Sequence, residues 1–238
     1  MPQLIISAAD IRDNSILIQD ARFRHIKSLR IKPGEQLRFT DGRGTGYTGV
    51  LKQLSRHKAV FEILNTLDRD NERSGIILAQ SITKKDRMSF AVQKATELGV
   101  DAVIPFTSRY TVVKVKEKNF SNRYESVIND AVSQCMRSVI PQFHEAVDYK
   151  NLIKGMPEVY KVLFHYGEAA GAISALFDTI KESRQVMLII GPEGGFSGDE
   201  IEFALANNVP VARLGRNILR SETAAIAAIS IVSFIRGQ

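Results

Sequence analysis

The sequence predicts an α/β fold: a parallel sheet flanked by helices, preceded by a small β-rich domain. Two observations carry this. From Gly75 onward, short apolar runs alternate with stretches of helical periodicity, the pattern of a parallel sheet. Before residue 72, short apolar runs are divided by turn dipeptides, which suits a small barrel. The polar stretch Leu67 to Ser74 has no periodicity and reads as the linker. The expected domains are therefore residues 1–72 and 73–238.

In the first domain, strands are expected at Leu4–Ile6, Ile16–Ile18, Gln36–Thr40, Tyr47–Leu54 and Lys58–Leu64, with one short helix over Ala21–Leu29. Pro33-Gly34, Asp41-Gly42-Arg43-Gly44 and Ser55-Arg56 are the turn signals between them. Between Arg22 and Lys58 there are ten basic residues against two acids, Glu35 and Asp41. That concentration, within a chain of formal net charge +6, fits a face that neutralises nucleic-acid phosphates. Arg22, Arg24, Lys27, Arg30 and Arg43 are the candidates for it.

In the second domain the first strand is Ile76–Ala79. Asp86 is the expected cap of a helix that stops at Gly99, with Met88, Val92, Ala95 and Leu98 on one face. A strand over Asp101–Phe106, a long helix over Asn119–Val139 and a strand over Val159–Tyr166 follow. Two strand–loop–helix units close the chain. Val186–Ile190 turns through Gly191-Pro192-Glu193-Gly194-Gly195 into a helix capped by Ser197 and Glu200. Val209–Leu214 breaks at Gly215 and leads to a helix over Ser221–Ile235. The two glycine-marked loops are expected side by side at the carboxyl edge of the sheet, where open α/β sheets bind ligands. The first loop lacks the lysine of a phosphate loop, and Glu193 would repel a phosphate, so a neutral or cationic ligand is expected. The last helix is apolar almost all round, which calls for burial on every side and favours a two-fold homodimer.

Other function classes find little support. No apolar run approaches the ~18 residues of a membrane span, and no signal-peptide pattern opens the chain. One cysteine, Cys135, makes no internal disulfide, so the cytoplasm is the expected location. The four histidines are scattered without ligand spacing, and no metal site is expected.

The two C-terminal motifs, Gly191-Pro192-Glu193-Gly194-Gly195-Phe196-Ser197 and Leu214-Gly215-Arg216-Asn217-Ile218-Leu219-Arg220-Ser221-Glu222-Thr223-Ala224, resemble those of the ribosomal RNA small subunit methyltransferase E family. Upstream, Lys84-Lys85-Asp86-Arg87, the segment Gln93 to Val100, and Gln134, Arg137 and Pro141 extend the resemblance, as do His25, Arg30, Gly34 and Asp41-Gly42. Two positions depart from it: Pro2-Gln3-Leu4 lacks an early arginine, and Thr107-Ser108-Arg109 lacks an acid. The resemblance implies a SPOUT-type parallel sheet with a deep trefoil knot behind a PUA-like β-barrel that binds RNA. It implies transfer of a methyl group from S-adenosylmethionine to N3 of one uridine of 16S ribosomal RNA. The alternatives left open are a knotted methyltransferase acting on another rRNA or tRNA position, and a ribosome-binding protein without activity.

Under that reading, Gly191, Glu193, Gly194, Gly195, Leu214, Gly215, Ile218 and Leu219 hold the cofactor, with Glu168 reaching its ribose or amino group. Uridine N3 carries a proton at neutral pH, so the site must remove it or stabilise the anion. Arg220, against a uracil carbonyl, is the candidate for stabilisation, and Glu222 for proton removal. Arg137 is a further candidate for holding RNA.

Overall fold

The computed structural model describes residues 3–68, 73–113 and 120–238. The chain forms two compact units, Met1–Glu72 with Asn129–Ile140, and Arg73–Ile128 with Pro141–Gln238.

The first unit is a six-stranded sheet. Its strands are β1 (Gln3–Ile5), β2 (Ile11–Arg12), β3 (Ser15–Ile18), β4 (Gln36–Thr40), β5 (Thr45–Leu54) and β6 (Ala59–Asp68), with helix α1 (Arg22–Ser28) between β3 and β4. The order is β1-β4-β5-β6-β3-β2. Only the β1–β4 pair is parallel. Register shifts at Thr48/Gly49 and Leu51/Gln53 bend the long β5–β6 hairpin, as β-bulges do. Alternate residues point inward, so Ile16, Ile18, Leu37, Phe39, Leu51 and Phe61 form a core with Ile26 of α1. Phe39 and Phe61 meet edge to face, 4.9 Å between centroids.

The second unit alternates strand and helix. It contains β7 (Ile76–Ser81), α2 (Lys85–Glu97), β8 (Ala102–Thr107), the start of α3 (Phe120–Cys135), β9 (Gln142–Phe143), β10 (Val147–Asp148), α4 (Tyr149–Lys154), β11 (Tyr160–Phe164), β12 (Gly171–Ala172), α5 (Phe177–Glu182), β13 (Val186–Ile190), α6 (Gly198–Ala206), β14 (Val211–Arg213) and α7 (Ser221–Ile235). The sheet runs β10-β8-β7-β13-β11-β14-β12, with β9 also on β8, and every pairing in it is parallel. Val186–Ile190 is buried throughout because helices cover both faces of such a sheet.

Two expectations need correction. Lys84, with extended ψ, is the N-cap of α2, and Asp86 sits within its first turn, where a carboxylate still suits the helix dipole. The long helix stops at Cys135 because Met136 adopts a left-handed φ of 61°. Strands β13 and β14 are separated by β11, yet the two glycine-marked loops still meet, as expected, with Ser221 Oγ donating to the Gly191 carbonyl at 2.6 Å. Helix α7 buries Ala225, Ala228, Ile229, Val232 and Ile235 along one face, but Phe234 stays 79% exposed, so it is not enclosed on all sides within one chain. No helix among the described residues is long and apolar enough to cross a membrane.

Candidate active site

Three strand ends build the site. A cavity of about 440 Å³ opens where β11, β13 and β14 finish, lined by Phe164–Tyr166, Ile190–Phe196, Arg213–Gly215 and Asn217–Ser221. This is the carboxyl edge at which open parallel sheets bind ligands.

The β13 loop is held from several directions. Ser197 and Glu200 close a capping box at the start of α6, Ser197 N donating to Glu200 Oε2 at 2.9 Å. The other Glu200 oxygen accepts from Arg109 N at 2.8 Å. Its main-chain carbonyl accepts from the Tyr149 hydroxyl at 2.7 Å. Burial, with the Glu200 charge second, pushes the Tyr149 phenol well above its ordinary range, so it remains a donor. Phe196 is buried and stacks parallel to Phe106 at 6.3 Å. Its ring closes against Gly191, where an added Cβ would lie 2.8 Å from it. Glu193 accepts from Arg87 at 2.7 Å, so its charge is paired within the protein.

The β14 loop supplies the opposite wall. Ile218 is 75% exposed at the mouth of the cavity, with Leu219 beside it and Leu214 half-buried. At Gly215 an added Cβ would meet nothing within 4 Å, and no left-handed φ requires a glycine there. The protein's own atoms thus give no reason for glycine at 215, whereas a ligand lying against the backbone would. The two loops are tied together from below. Ser221 donates to the Gly191 carbonyl at 2.6 Å and accepts from Gln80 at 2.8 Å, all three buried.

Most of the expected cofactor residues meet here: Gly191, Glu193, Gly194, Gly195, Leu214, Gly215, Ile218 and Leu219, with Arg220 alongside. Glu168 does not. The chain turns away through Gly167, whose carbonyl accepts from Ala170 N at 3.0 Å, and Glu168 lines an adjoining cavity of about 680 Å³. Glu222 does not line the site either. Its Oε2 is buried with no hydrogen-bond partner among the described residues. His165 was missed by sequence reasoning. It follows directly on the apolar run of β11, and that position at a strand end is the signal that would have found it. Burial lowers its pKa below the ordinary 6.5.

Of the five candidates for phosphate contact in the first unit, Arg24, Lys27, Arg30 and Arg43 are exposed. Arg22 is not available in the same way. Its guanidinium bonds Asp10 at 2.7 Å, Asp20 at 2.5 Å and the Ile5 carbonyl at 3.0 Å, tying together the start of the sheet and α1. Lys27 donates to the Arg56 carbonyl at 3.1 Å. Arg137 is half-buried, and its carbonyl accepts from Gln3.

The class follows from fold and site together: residues 70–233 match the family model of the RNA methyltransferase domain, and residues 18–64 that of the RNA methyltransferase PUA domain. Among individual relatives, the ribosomal RNA small subunit methyltransferase E of Buchnera aphidicola subsp. Schizaphis graminum is 30% identical over 94% of this chain and 93% of its own. That of Mesomycoplasma hyopneumoniae is 30% identical over 90% and 92%. The chain belongs to the ribosomal RNA small subunit methyltransferase E family. The crystal structure of the Neisseria gonorrhoeae member bound to S-adenosyl methionine superposes with a TM-score of 0.88 at 30% identity, covering 99% of this chain and 98% of that one. A Legionella pneumophila protein solved in complex with the same cofactor gives 0.86 at 27% identity, covering 98% and 96%.

Proposed function

We propose that this chain is an S-adenosylmethionine-dependent methyltransferase that modifies N3 of one uridine in the 16S ribosomal RNA of the small subunit. It acts as a cytoplasmic homodimer with the knotted backbone of its family. The observation that carries the reading is the cavity at the ends of β11, β13 and β14, with an exposed apolar wall at Ile218 and Leu219 and bare backbone at Gly215. Its volume suits a nucleoside-sized ligand.

The residues present fit the cofactor. Leu214, Ile218 and Leu219 wall a flat heteroaromatic group, and the backbone of Gly191, Gly194, Gly195 and Gly215 offers donors and acceptors without side-chain obstruction. Glu193 acts by holding the turn through Arg87. When bound, S-adenosylmethionine supplies an electrophilic methyl group on a sulfonium. The chain's own contribution is orientation and electrostatics. Arg220 lies at the rim of the cavity and makes no ion pair among the described residues, so it is positioned to stabilise the anion left when uridine loses its N3 proton. Arg24, Arg30 and Arg43 present RNA phosphates with exposed charge. The exposed Phe234 on α7 supports burial of that face against a second copy.

The test is to delete the gene, digest small-subunit ribosomal RNA to nucleosides, and look by mass spectrometry for loss of 3-methyluridine. Restoration by the wild-type gene and not by Arg220→Ala is expected. An unchanged 3-methyluridine content in the deletion strain overturns the reading.

A further inference from the structure

The second cavity, beside the first, is lined by Tyr166, Glu168, Ser174, Arg213 and Arg216. It shares Tyr166, Arg213, Leu214 and Gly215 with the cofactor cavity, so the end of β14 is the common wall. From Arg213 to Arg220 the chain carries three arginines and no acid, and all three are exposed. None of the three side chains makes an ion pair or hydrogen bond among the described residues. Elsewhere around the site cations are matched: Arg87 is paired with Glu193 and Arg109 with Asp199. An unmatched cluster next to the place of a cofactor that itself carries a sulfonium cation calls for an anion from another source.

The geometry points to the second cavity as the seat of a nucleotide of the RNA substrate, its phosphate held by Arg213 and Arg216 and its ribose hydroxyls by Glu168. This rests on the function proposed above. A guanidinium pair suits phosphate oxygens, which it binds in fork geometry. Glu168, an acceptor only when ionised, would repel phosphate but accepts from ribose hydroxyls, so the two arginines outnumber it in favour of an anionic ligand with donor groups. Tyr166 is 52% exposed, which leaves a ring face for a base to stack on. The cavity volume of about 680 Å³ admits a nucleotide. A base leaving this seat would enter the cofactor cavity across the shared wall at Leu214 and Gly215.

The test uses Arg216→Ala, because Arg216 lines only the second cavity. Binding of the full-length protein to unmethylated small-subunit ribosomal RNA is measured across a salt series, and S-adenosylmethionine affinity by calorimetry. The expected result is weaker RNA binding, by about threefold to tenfold at low salt, and a log–log salt slope shallower by about 0.7 to 0.9. Cofactor affinity should stay within about twofold of wild type, and Arg216→Lys should restore the slope. Glu168→Gln should leave the slope unchanged while raising KM for RNA. An Arg216→Ala protein with wild-type RNA affinity and salt slope overturns the assignment. So does a loss confined to cofactor affinity, which would give the cavity to the polar tail of the cofactor. Failure of the wild-type protein to bind S-adenosylmethionine would instead bring down the underlying function, and this seat with it.

Discussion

Gly191 and Gly215 lie in the same cavity and are glycine for opposite reasons. At Gly191 the neighbour is Phe196, 2.8 Å from where a Cβ would stand, and that ring is buried and stacked. Gly191→Ala therefore overpacks the loop, and a loss of about 1–3 kcal/mol in chemical denaturation is expected. At Gly215 the space is open, so Gly215→Leu should fold within about 0.5 kcal/mol of wild type. The same variant should weaken S-adenosylmethionine binding by more than about tenfold by calorimetry, because its side chain occupies the ligand's place. Equal binding would remove the reason given for glycine there. His165 makes a third residue-scale prediction. Burial holds its pKa below 6.5, so it is neutral at pH 7 and gains a proton as pH falls through that lower value. The new charge would face a cationic cofactor among the arginines already lining the cavity. Affinity should fall as pH drops through that lowered value, and His165→Asn should flatten that profile. Both glycines were legible because their motif is local. The Arg87–Glu193 pair was not, since it joins helix α2 to the β13 loop over a long sequence separation, and His165 carried only the signal of its place at a strand end.

Two elements are fastened by single polar residues, and each fastening is testable. Ser221 opens α7 and holds the Gly191 carbonyl while Gln80, from the end of β7, holds Ser221. Ser221→Ala leaves that buried carbonyl without its donor, at a cost of about 1–3 kcal/mol, and loosens the cofactor loop. Denaturant melts and cofactor titrations should both register the change, and Ser221→Thr should recover most of it. In the first unit, Arg22 fastens β1 to α1. Burial raises the Asp10 pKa, but hydrogen bonds from Arg22 and Ser7 more than offset it, and Arg22 is the main cause for Asp20, so both titrate below 3.8. A carboxyl depressed in the folded state stabilises above its unfolded value and loses that contribution as pH falls. Stability should therefore decline below about pH 4, and Arg22→Ala should remove about 1 kcal/mol at neutral pH and blunt that acid slope, the value being modest because Asp20 is half-exposed. The strands and helices of the α/β unit were largely readable from period and turn residues. Their order was not: parallel pairing is settled by long-range contacts, and β11 slips between two strands that follow one another in the chain.

At the scale of the whole molecule, charge is what links the two functions proposed. A net +6 says little by itself, but its basic residues concentrate between Arg22 and Lys58. Composition alone treats these as equivalent, whereas the structure divides them. Arg22 is committed to Asp10 and Asp20, and Lys52 to Glu62 at 2.7 Å. Arg24, Arg30 and Arg43 are exposed and make no ion pair among the described residues. Only uncommitted charge releases counterions when it meets phosphate, since a paired guanidinium must first leave its carboxylate. Replacing Arg24, Arg30 and Arg43 together by Gln should flatten the salt dependence of RNA affinity by about two to three units of slope. Lys52→Gln, which removes a paired charge, should change it by much less than one. Cofactor affinity should be untouched in both, because the cavity is formed entirely within the second unit. An equal change of slope per charge removed in the two proteins would show that RNA reads the total charge of the barrel, and that the division between paired and free cations has no bearing on binding.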